Sequence, residues 1–129
     1  MLPKITKRPR SRRATLETAL GIISNKSNWT EGAFAYGVDG LPYDEGCVKA
    51  PVATVCAVGS VQYALGNDDG KLCCLVTDLL DAAAMNLYGK NFIITVNDDP
   101  ELGYDAVIKC FELALSKLPQ DAPGQEDLL

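Results

Sequence analysis

Histidine is absent from the 129 residues of this chain. That absence removes Cys–His and Ser–His–Asp nucleophilic machinery and every imidazole-ligated zinc site. Long apolar runs are missing too: none approaches the roughly 20 residues a bilayer crossing needs, so no membrane partner is expected. No apolar stretch follows the basic start, which argues against a secretory leader and for a cytoplasmic protein. The five cysteines, Cys47, Cys56, Cys73, Cys74 and Cys110, are odd in number and spaced neither as a disulfide framework nor as paired metal knuckles. Reduced thiols and no metal are expected. The glycines form neither a dinucleotide fingerprint nor a P-loop, and the acids do not follow the EF-hand spacing, so no cofactor is implied.

What is present is a sharp separation of charge. Lys4, Lys7, Arg8, Arg10, Arg12 and Arg13 are half of the 12 basic residues, while the other six face 17 acids, a balance of −11 outside the first 13 positions. Such a cationic block can dock on phosphates, on an acidic assembly or on its own body, or remain a solvated tail. Pro3 and Pro9 oppose a helical transit peptide, whose composition the block otherwise fits. The organisation read from this pattern is a basic arm over 1–13, a single globular domain over 14–118 and a flexible acidic tail over 119–129.

Within the domain, Leu16, Ala19, Leu20 and Ile23 recur at helical spacing, with Thr15 as the expected N-cap. Residues 33–38 read as a strand. The Asp39-Gly40 turn leads to residues 41–43, where Pro42 permits only an edge strand. A loop through residues 44–46 follows. Residues 51–65 are small or apolar almost throughout and read as a buried helix that stops at Gly66. The polar loop 67–70 precedes a helix over 72–88 with Leu75, Leu79, Ala83 and Leu87 inward and Gly89 as its stop. Residues 92–96 (FIITV) carry the best strand signal. A last helix spans 104–118. The expected fold is α+β, with about four helices around a small two- to three-stranded sheet.

Four stretches in order carry a resemblance: Trp29-Thr30-Glu31-Gly32-Ala33-Phe34, Asp39-Gly40, Cys56-Ala57-Val58-Gly59-Ser60 with Ala64 and Gly66, and Asn97-Asp98-Asp99-Pro100. Together, across residues 15–118, they resemble a bacterial and phage family of small proteins classed only as a domain of unknown function. Val96, Glu31 and Ser60 stand where that family tends to have an aromatic, Gln and Ala. The resemblance implies an architecture and a bacterial or phage-infected host, and no chemistry.

The candidate ligand site is Cys56, Asn97 and Asp98, with Trp29 as a pocket-lining aromatic. Cys56 near a helix start could have a lowered thiol pKa, with a carboxylate as base, or could be a small buried hydrophobe. Asn97, Asp98 and Asp99 read as the cap between a strand and a helix, or as groups for a cation or a polar ligand. The leading functional reading is a non-catalytic binding or adaptor protein whose basic arm docks on nucleic acid or an acidic protein assembly. The alternatives are a small enzyme or ligand-binding protein with its site at Cys56, Asn97 and Asp98, and an accessory subunit of a larger particle.

Overall fold

Ser11, in extended conformation, accepts the Ala14 N–H on its hydroxyl at 3.0 Å and starts the first helix, α1, Arg12–Ile23. The computed structural model describes residues 2–43, 51–66 and 69–119. The expected loop at 44–46, Cys47, residues 67–68 and the tail past Pro119 lie outside the described residues. Thr15, expected as the cap, lies one turn inside α1 and returns its hydroxyl proton to the Ser11 carbonyl at 2.7 Å. Arg12 and Arg13 therefore belong to a helix.

After a 3-10 turn at Lys26–Asn28, the chain enters β1 (Ala35–Gly37) and β2 (Pro42–Tyr43). The third strand is not the expected one. Val52–Val55 forms β3, and the antiparallel sheet runs β2-β1-β3 with Ala35 opposite both Tyr43 and Val55. The β-branched set Val52, Thr54 and Val55 suits a pleated strand, and β1 supplies the backbone partners a helix would otherwise satisfy internally. Pro42 sits on an edge strand, as its missing N–H requires.

Only the second half of the expected 51–65 helix is helical. α2 runs Ala57–Leu65, capped by Cys56, whose sulfur accepts the Gly59 N–H at 3.3 Å, and stopped by Gly66 at φ +64°. α3, Gly70–Tyr88, starts at Asp69, whose carboxylate accepts the Leu72 N–H, and ends at Gly89 at φ +67°. Its buried stripe is Leu72, Val76, Leu80, Ala83 and Ala84, one residue round from the one expected, and Leu87 is exposed. The helix is apolar on so much of its circumference that two neighbouring stripes are equally plausible until partners are in place.

Residues 92–96 are the largest correction. Ile93–Asp98 is a short helix, α4, that buries Ile93, Val96 and Asn97 at i, i+3 and i+4 and leaves Phe92 at the surface. Its start has no local side-chain cap. Asp81, about two turns before the end of α3, accepts the Ile93 N–H at 2.8 Å instead. α5, Gly103–Ser116, then buries Ala106, Val107, Cys110, Phe111 and Ala114.

Among the described residues the result is α+β: five helices and a three-stranded antiparallel sheet sharing one core, to which α1, α2, α3, α4, α5, β1 and β3 all contribute. α1 packs on α2, and α5 on α3 and α4. No described helix is long and apolar enough to cross a membrane.

The basic segment lies on this body. Leu2 is buried in the core and Ile5 packs against it. The Tyr63 hydroxyl donates to the Pro3 carbonyl at 3.0 Å. Arg8 donates to the Leu65 carbonyl at 2.6 Å, over Gly66 at the carboxyl end of α2. Arg13 donates to the Leu115, Leu118 and Pro119 carbonyls at 2.7, 2.6 and 2.8 Å, closing the end of α5. Both guanidinium groups meet helix termini that carry unsatisfied carbonyls and partial negative charge.

Candidate functional site

The last turn of α4 places Asn97 in the interior and Asp98 at the surface. Asn97 Oδ1 accepts the Trp29 indole N–H at 2.8 Å and the Ala57 backbone N–H at 3.0 Å. Its Nδ2 donates to the Thr30 carbonyl at 3.1 Å and to Asp98 Oδ1 at 3.0 Å. Two acceptor and two donor positions are all that an amide side chain has, so Asn97 is saturated. Asp98 Oδ1 also accepts the Gly32 N–H at 3.0 Å, with Gly32 at φ +86° to aim it.

Cys56 completes the junction from the other side. Its own N–H donates to the Phe34 carbonyl at 2.9 Å, next to the point where Gly59 lets α2 approach β1. A Cβ at position 59 would collide with that same carbonyl oxygen. The thiol is fully buried, and burial pushes it up to about 11 against the pull of the Gly59 and Val58 amides; the Asp98 charge adds to the rise. A thiol held protonated at neutral pH is a poor nucleophile. The expected helix-dipole activation is present only as weak backbone hydrogen bonds, which desolvation outweighs.

All four sequence-predicted residues, Trp29, Cys56, Asn97 and Asp98, thus converge. What they build is a knot tying the β1 entry, the start of α2 and the end of α4. Trp29 is further braced edge-on by Tyr104, with ring centroids 5.5 Å apart, and the Tyr104 hydroxyl donates to the Ile23 and Ser24 carbonyls at the end of α1. Asp99 is a turn former: its carboxylate accepts the Glu101 N–H at 2.8 Å and pairs with Lys90 at 3.7 Å. The expected strand-to-helix junction is a helix-to-helix one. Among the described residues no three Cys, Asp or Glu side chains converge as metal ligands.

A second feature lies at the basic segment. Thr6, Lys7, Arg8, Pro9 and Arg10, with Leu65 and Asp69, line a groove of about 540 Å³ between the segment and the facing ends of α2 and α3. Three cations and a hydroxyl face one carboxylate there. Sequence reasoning singled out the cations but not Thr6 or the groove, because the wall opposite them comes from residues nearly 60 positions away. Compared with known protein families, curated proteins and solved structures, the chain finds no match.

Proposed function

We propose that this is a non-catalytic binding protein, acting in the cytoplasm of a bacterial cell or phage-infected host, whose docked basic segment receives the phosphate backbone of a nucleic acid. The groove lined by Lys7, Arg8, Arg10 and Thr6 carries this reading. The summed positive charge of Lys7, Arg8 and Arg10 beside the Thr6 hydroxyl in one concavity suits the clustered acceptor oxygens of a phosphate better than isolated carboxylates. The saturated Asn97 and the protonated, buried Cys56 support the absence of a catalytic role for the opposite candidate.

Removing residues 1–13 is not a clean test. It would also remove Leu2 from the core, the Ser11 cap of α1 and the arginines that close α2 and α5. Lys4 and Lys7 are exposed, so the K4E/K7E variant alters charge alone. Fluorescence anisotropy with a labelled oligonucleotide is expected to show binding that falls steeply between 50 and 200 mM salt. The variant should bind more weakly with a salt slope reduced by about 1 per lost phosphate contact. Equal binding by the variant overturns the proposal, and preference for an acidic polypeptide over the oligonucleotide replaces nucleic acid by an acidic assembly as the partner.

A further inference from the structure

A recess of about 160 Å³ opens beside the junction, lined by Gly32, Ala33, Phe34, Ile94 and Asp98. Of these five, Asp98 alone carries charge. Its carboxylate is held in place: Oδ1 accepts from the Gly32 N–H and the Asn97 amide, both at 3.0 Å. An ionised carboxylate offers about four acceptor positions, so two such bonds fix its orientation while leaving acceptor capacity for a donor in the recess.

The geometry points to a site for a single lysine side chain of a partner protein. Size comes first: a cavity of about 150 Å³ holds one benzene-sized molecule, so this recess takes the end of one side chain and excludes a nucleotide. The walls of Ala33, Phe34 and Ile94 are apolar and the one charge is negative, which matches an apolar methylene stem ending in an ammonium. Guanidinium is disfavoured because its planar fork is best met by two carboxylate oxygens, and Oδ1 is already engaged twice, whereas an ammonium is satisfied as a point charge. The net charge of −5, with the basic segment docked elsewhere on the body, favours approach of a cationic partner. This site stands apart from the anion groove and does not rest on it.

The test uses the ¹⁵N-labelled full chain titrated with Nα-acetyl-lysine methylamide, its norleucine counterpart and its arginine counterpart, read by amide chemical shifts. Saturable shifts centred on Gly32, Ala33 and Ile94 are expected for the lysine probe alone. The Asp98→Asn variant keeps an oxygen to accept from Gly32 and Asn97, so the fold stands while the charge is lost. Its affinity should fall about tenfold, the scale of one charged hydrogen bond. Ala33→Met, which fills the recess and leaves the charge of Asp98 in place, should abolish the shifts with an unchanged melting temperature. Equal shifts from norleucine, retention by Asp98→Asn, tighter binding of the arginine probe, or no saturable shift with the lysine probe each overturn the assignment.

Discussion

The indole N–H of Trp29 donates to Asn97 Oδ1 at 2.8 Å across 68 positions of sequence. Since the chain has a single tryptophan, its fluorescence reports this junction directly.

Replacing Asn97 by Asp is expected to cost about 3 kcal/mol or more. The carboxylate still accepts from Trp29 and Ala57 but can no longer donate to the Thr30 carbonyl or to Asp98, and it places a buried charge beside the surface charge of Asp98. Urea denaturation followed through Trp29 should show a lower midpoint with an unchanged slope. Part of the loss should return in acid, where a protonated carboxyl regains one donor.

Gly59 and Gly21 form a matched pair. At Gly59 an added methyl meets the Phe34 carbonyl, a backbone atom that cannot step aside, so Gly59→Ala should destabilise by several kcal/mol, on the scale of overpacking plus a lost strand–helix contact, roughly 2–4 kcal/mol. Gly21 lies exposed inside α1 with nothing within 4 Å of its Cβ position. There the same change should stabilise by about 0.5–1 kcal/mol through helix propensity. Thermal melts of both variants decide the point.

Arg13→Met keeps the aliphatic stem but takes the guanidinium donor from the Leu118 and Pro119 carbonyls, while Leu115 keeps the Leu118 N–H, and should cost about 1–3 kcal/mol. Lysine, a point charge, should restore only part of this. Glu17→Gln, which breaks just the exposed 3.7 Å pair with Arg13, should change stability by less than about 0.5 kcal/mol. The contrast separates helix closure from surface charge pairing.

Burial raises both Cys56 and Cys110 to about 11 from the ordinary thiol value of 9.0. In this range the unfolded chain releases thiol protons that the native chain keeps, so stability is intact below about pH 9 and declines as pH rises toward 11. For Cys56 the loss by pH 11 is on the order of 2–3 kcal/mol. Tyr104 is shifted upward by burial as well and acts in the same direction. At pH 8, brief treatment with iodoacetamide should label the exposed Cys74 and spare Cys56 and Cys110 until denaturant is added, as peptide mapping would show.

Elements with a strong private signal were legible from the residues. The 103–116 helix shows its apolar side as Val107, Phe111 and Ala114, and Gly66 and Gly89 mark helix ends by tolerating positive φ. The edge position of Pro42 followed from its missing donor. The convergence of Trp29, Cys56, Asn97 and Asp98 was readable as a set of residues, while their role was not, since saturation of an amide depends on partners at Thr30, Ala57 and Asp98 that only folding assembles. Short apolar runs failed for a related reason. Residues 52–55 read as part of a helix and 92–96 as the best strand, yet pairing with β1 made the first a strand while a cap from Asp81 started a helix at the second.

The sequence by itself determined that imidazole chemistry is excluded and that six of the 12 cations precede every acid, because both are properties of the covalent chain. Only the tertiary structure decided where those cations rest. Arg8 and Arg13 are positioned by carbonyls at the ends of α2 and α5, 57 and about a hundred positions away, which are brought within reach of them only once those helices exist. A charge in sequence has a sign, and the fold supplies its partner.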